Sequence, residues 1–202
     1  MKKPIKLAAY SYIVLLILGG VLGFLFTSSQ FSLVSGLFYL VMSVLMFIVF
    51  NGFICLGKKL KSKFLVIVSW ISIVLWIIYI LYSLFGGFII NIPQLTEQDI
   101  LALQNPNTSQ DVISDSVYKL LTIILISHLV ASIIFGVGSL LFGIALFKLR
   151  KRIKYAKAAG VLNIIAGATI FLFIGYLIAI PAMIMEIILL FDASKRFEKN
   201  KK

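Results

Sequence analysis

Five long apolar stretches dominate the chain, at about residues 7–26, 31–57, 64–91, 119–147 and 158–191. Each of the first four reaches or exceeds the roughly 20 residues that an α-helix needs to cross a hydrocarbon core. The fifth holds 34 residues. As one helix it would be roughly 51 Å long, far more than a bilayer core of about 30 Å requires, and tilt is a strained way to absorb the excess. A tight turn near its middle would instead make two arms close to the lower limit for a span. The segment Ile174-Gly175-Tyr176 is where that turn is expected. Gly175 can take a positive φ without a Cβ clash, and Tyr176 suits a membrane interface. Pro181 then falls early in the last arm, where its missing N–H is best tolerated. The pattern predicts an all-α integral membrane bundle, one domain over residues 1–202, with six transmembrane helices in three outward-pointing hairpins. The alternative is five helices, with residues 158–191 crossing once as a kinked helix or entering and leaving on one side.

Charge decides between these. Of nineteen Lys and Arg, eighteen lie in four clusters beside the apolar stretches: Lys2/Lys3/Lys6, Lys58/Lys59/Lys61/Lys63, residues 148–157, and residues 195–202. Short cytoplasmic loops carry excess Lys and Arg. Two crossings by residues 158–191 put all four clusters inside, together with both termini; one crossing would leave the last cluster outside. The connection at about residues 92–118 holds Glu97, Asp99, Asp111 and Asp115 and is read as extracytoplasmic. Within it, Thr96 is placed to cap a short helix, with Leu95 stapled to Ile100. Asn107-Thr108-Ser109 matches a glycosylation acceptor, a triplet common by chance.

Composition agrees with a membrane protein: 61% of residues are hydrophobic, 13% are charged and the mean hydropathy is +1.11. The net charge of +12 would otherwise suggest nucleic acid, but the basic residues occur in short runs with no nucleic-acid module around them. The partner they imply is a bilayer with anionic headgroups on the cytoplasmic side. The apolar run at residues 7–26 exceeds a signal-peptide core of about 7–15 residues and is read as a retained first span. The single cysteine, Cys55, forms no internal disulfide and is read as an ordinary buried or lipid-facing residue.

Polar groups inside the apolar stretches are the candidates for chemistry, because burying them without partners is costly. His128 lies nine residues after Lys119, and Glu186 lies eleven after Gly175. Both are then roughly 13–17 Å from the outer face, so the two are expected to approach each other as a carboxylate–imidazole pair. The bland alternative is a neutral Glu186 and a structural His128. Asn51 and Asn163 each lie six or seven residues from a basic cluster, and are expected to bond across helices as packing glue. Small residues mark close-packing faces: Gly19 and Gly23 in a GxxxG, Ser132, Gly136, Ser139 and Gly143 in one stripe, and Gly160 with Gly167 on another. Packing within the chain is the default for these faces, and contact with another membrane protein or a second copy the alternative.

No phosphate loop, zinc-protease motif, CxxC or Ser-His-Asp spacing is present. One His and one Cys do not build a closed zinc site, and no metal or cofactor is expected. The glycine-punctuated segment with Ala159-Gly160, Ala166-Gly167, Gly175 and Leu190-Phe191 resembles the terminal hairpin of small uncharacterised multi-pass membrane proteins of archaea and bacteria. That resemblance implies a fold habit and no site. The expected function is therefore a non-enzymatic multi-pass protein of the cell membrane, an accessory or scaffold subunit of a membrane assembly. The alternative is a small transporter or ion channel using Glu186 and His128.

Overall fold

The computed structural model describes residues 3–25, 33–89 and 115–199. Among these residues the chain is helical throughout. In order come α1 (Lys3–Leu25), α2 (Leu33–Lys59), α3 (Lys63–Ile89), α4 (Asp115–Lys148), α5 (Ala156–Thr169), a 3-10 turn (Ile170–Leu172) and α6 (Ile174–Lys199). Helices satisfy every backbone group within one segment, which apolar surroundings demand. Four stretches are long and apolar enough to cross a membrane: Leu40–Lys59, Lys63–Leu81, Val117–Lys148 and Ile174–Glu198; Ala156–Leu172 is a shorter apolar one. The side chains facing outward agree. Ile67, Trp70, Val74, Leu125 and Leu177 are about half exposed or more, a surface compatible with lipid. The links between α1 and α2 and between α3 and α4, including the expected cap at Thr96 and the triplet at Asn107, lie outside the described residues.

The chain divides into two compact units, Met1–Ile77 with Phe135–Lys202, and Ile78–Ile134. The larger unit contains a continuous core. Ile5, Ala8 and Tyr12 of α1, Val49, Phe53 and Leu56 of α2, and Leu65 and Val68 of α3 contribute to it. So do Phe142, Ala145 and Leu146 of α4, Ala156 and Ala159 of α5, and Leu189 and Leu190 of α6. Phe53 and Phe142 meet edge to face at 4.7 Å, a favoured aromatic geometry.

Glycines bring the backbones together. A Cβ on Gly143 would lie 2.7 Å from the Gly160 oxygen, and one on Gly160 would lie 2.6 Å from the Phe147 nitrogen. Two turns away, a Cβ on Gly167 would lie 2.7 Å from the Gly136 oxygen. Gly136, Gly143, Gly160 and Gly167 thus form two facing pairs that hold α4 and α5 antiparallel and in close contact. Gly52 does the same for α1 and α2, where a Cβ would overlap Ala8 and sit 3.3 Å from the Pro4 oxygen. Gly19 differs: among the described residues, a Cβ there would meet Met42 alone, at 3.9 Å. Gly23 belongs to α1, and its surroundings lie outside the described side chains.

Residues 158–191 do contain a break, which separates α5 from α6. The left-handed residue is Phe173, with φ 60°, and no glycine has a positive φ among the described residues. Gly175 is instead a helical residue, and a Cβ there would collide with the Ala166 oxygen and crowd Ile170 at 2.5 Å. It is needed for closeness rather than for its dihedral freedom.

The basic clusters gather at one end of the larger unit. The Arg152 guanidinium donates to the Leu60 carbonyl at the end of α2, at 2.5 Å. Arg196 pairs with Asp192 at 2.8 Å and reaches the Arg152 carbonyl at 3.5 Å. Lys59 lies over the Phe197 ring and Lys148 over Phe64, 4.4 and 4.1 Å from the centroids. Lys3 and Lys6 come to the same end, because Pro4 packs beside Gly52, six residues before Lys58.

Candidate functional site

Glu186 is the one acid in the interior of the larger unit among the described residues, and it is 2% exposed. Such a group is costly in an apolar interior unless its oxygens find donors. Both do. The Tyr12 hydroxyl donates to Oε2 at 2.5 Å, and the Asn163 amide donates to Oε1 at 2.5 Å. Asn163 Nδ2 also reaches the Ala159 carbonyl one turn back, at 2.9 Å. The other side of Asn163 is held too. Ser139 Oγ lies 2.9 Å from the Asn163 carbonyl oxygen and 3.2 Å from Oδ1.

The result is a chain of polar contacts across four helices: Ser139 on α4, Asn163 on α5, Glu186 on α6 and Tyr12 on α1. The two glycine pairs of α4 and α5 flank it. They bring the backbones close enough for a short serine side chain to span the gap. Counting at 1.5 Å per residue from Lys6, Lys157 and Arg196 puts the cluster roughly 9–15 Å in from the basic end. Interhelical polar bonds in membranes average only about 0.6 kcal/mol. Their joint effect here is to fix which helix faces meet.

The sequence-derived candidates fall into three groups. Glu186 and Asn163 come together directly. Asn51 is exposed on α2, and no bond joins it to Asn163 among the described residues. The expected glue between these two asparagines is therefore replaced by Ser139, which lies directly across from Asn163. His128 belongs to the smaller unit, half-buried, with Nε2 3.3 Å from Ser132 Oγ on the next turn of the same helix. Within the larger unit, Tyr12 and Asn163 hold one Glu186 carboxylate oxygen each. Tyr12 was not singled out by sequence reading. Its spacing was the available signal: it lies six residues from Lys6, as Asn163 lies six from Lys157.

The chemistry open to this cluster is narrow. Carboxylate and phenol can share or pass a proton, and among the described residues no second acid lies beside Glu186. No group of three or more His, Cys, Asp or Glu placed to hold a metal occurs among the described residues. Comparison with protein-family models, with curated proteins and with solved structures finds no match for this chain.

Proposed function

We propose that the chain is a six-span protein of the cell membrane with both termini in the cytoplasm. In this reading it is a non-enzymatic accessory or scaffold subunit of a larger membrane assembly. The observation that carries the role is the bonding of both Glu186 oxygens to donors within the chain. Its two oxygens are each taken by a donor from another helix, so the deep acid ties helices together rather than facing a substrate. The topology is supported by the gathering of the described members of the four basic clusters at one end of the larger unit, since excess Lys and Arg marks the cytoplasmic side. The break at Phe173 supports two crossings by α5 and α6.

Two experiments test this. Mild-detergent purification followed by mass spectrometry is expected to recover other membrane proteins in fixed stoichiometry. A lone protein that moves ions or solute in liposomes, and stops on Glu186→Gln, would replace the subunit role with transport. For topology, a cysteine placed after Lys199 in a Cys55→Ser background is expected to resist membrane-impermeant reagents in intact cells. Labelling from outside would leave five spans.

A further inference from the structure

A groove of about 620 Å³ opens where α2 turns into α3. Lys58, Lys61, Ser62 and Lys63 surround its mouth, and Val66 and Ile67 line it further in. A second, apolar groove of about 340 Å³ runs along α3 past Ile67, Trp70, Ile71 and Val74. Ile67 borders both, so the two adjoin along α3 and are together termed the furrow, with lysines at one end and apolar side chains at the other.

The mouth is unusual in two respects. Lys58, Lys61 and Lys63 are all exposed and have no ion-pair partner among the described residues. The sequence holds no Asp or Glu before Glu97, so no acid from this stretch offsets them. Second, Lys61 has a left-handed backbone, with φ 53°. It occupies the position just past a helix end that glycine favours: Ser62 N–H bonds to the Gly57 oxygen at 2.8 Å, and Lys61 N–H to the Lys58 oxygen at 3.2 Å. A Cβ is penalised in this conformation. A lysine here makes the turn harder to form and puts a third positive side chain at the mouth. An outlier of this kind points from backbone strain to a role for the side chain. The positive end of the α3 dipole, at Lys63, adds to the field.

We propose that this furrow binds one anionic phospholipid, its phosphate held by Lys58, Lys61 and Lys63 and one acyl chain lying along Ile67, Trp70 and Val74. Trp70 follows Lys63 by seven residues, roughly 10 Å along the helix, which is acyl-chain depth. The site needs the chain to sit in a bilayer and is independent of its role as a subunit.

Trp70 reports on the furrow directly. A Trp76→Phe protein, with Trp70 as its only tryptophan, is reconstituted in phosphatidylcholine containing acyl-brominated phosphatidylglycerol or acyl-brominated phosphatidylcholine. Half-maximal quenching is expected at an about fivefold lower mole fraction of the anionic lipid. Replacing Lys58, Lys61 and Lys63 together by Gln should abolish that preference. Lys61→Gly should weaken it while the thermal stability holds or rises, which separates lost binding from misfolding. A Lys151→Gln/Lys157→Gln control, with two charges removed elsewhere on the basic end, should keep it. Equal quenching by the two lipids would overturn the site. So would a preference that survives the triple substitution, or one that the control also abolishes. Failure of the protein to float with bilayers would overturn the membrane reading and the site with it.

Discussion

Alanine in place of Gly160 tests the α4–α5 contact most directly. The three atoms nearest to the added Cβ are all backbone: Phe147 nitrogen at 2.6 Å, Gly143 oxygen at 2.8 Å and Phe147 Cα at 2.9 Å. None can rotate away. To reach ordinary contact the helices must part by about 0.8 Å, and overpacking of this kind costs about 1–3 kcal/mol. Parting also lengthens the Ser139–Asn163 bond, worth about 0.6 kcal/mol. Against this, Ala is better than Gly inside a helix by about 0.8–1.0 kcal/mol. The net expectation is a loss of about 0.5–3 kcal/mol. Gly19→Ala is the internal control, since among the described residues its Cβ meets Met42 alone, at 3.9 Å, and it should keep most of the helix gain. Unfolding of the purified variants in mixed micelles, titrated with a denaturing detergent, should separate the two by about 2 kcal/mol with opposite signs. A Gly160→Ala protein as stable as its parent, or two variants that shift alike, would refute backbone contact at this point.

Three further outcomes follow from the same contacts. Glu186→Ala leaves the Tyr12 hydroxyl and the Asn163 amide without their acceptor and opens a cavity, so unfolding titrations should show a loss of about 2–4 kcal/mol. Glu186→Gln keeps the shape and one carbonyl acceptor, and its amide can donate to the Tyr12 oxygen; a loss within about 1 kcal/mol is expected in the same assay. Lys61→Gly should stabilise the turn after α2 by about 1 kcal/mol, read as a rise in the midpoint of detergent unfolding.

The long periodicities were legible in the sequence. Helix lengths follow from apolar run lengths, and the break within residues 158–191 follows from a run too long for one crossing. What the pattern could not assign was the division of labour inside the break. Gly175 looks like the turn residue because it can adopt any φ, yet the adjacent α5 backbone at Ala166 requires that glycine, and the left-handed position falls to Phe173. The glycine stripes of α4 and α5 were visible, but their pairing needs the antiparallel register, which no single helix carries. Tyr12 stayed hidden because its partner lies 174 residues away, and a tyrosine in an apolar helix gives no local sign of being bonded.

The bond between Asn163 and Glu186 joins two residues only 23 apart, on the two arms of one hairpin. That spacing bears on how the protein enters the bilayer. Between Lys157 and Glu186 the sequence contains no charged residue, so α5 and α6, if they cross twice as proposed, would carry no ion across at the hairpin tip. An acid inserted alone would cost about 2.5–3.5 kcal/mol at the centre of a helix. Here the arm that leaves the ribosome first already holds the amide that the acid needs. The two arms can therefore enter as a pair, with the acid partly solvated by its own hairpin before the bundle closes. Tyr12, made long before, then supplies the second donor when the hairpin docks. In the six-span reading proposed above, the polar cluster would act as a latch that closes when the hairpin docks against α1.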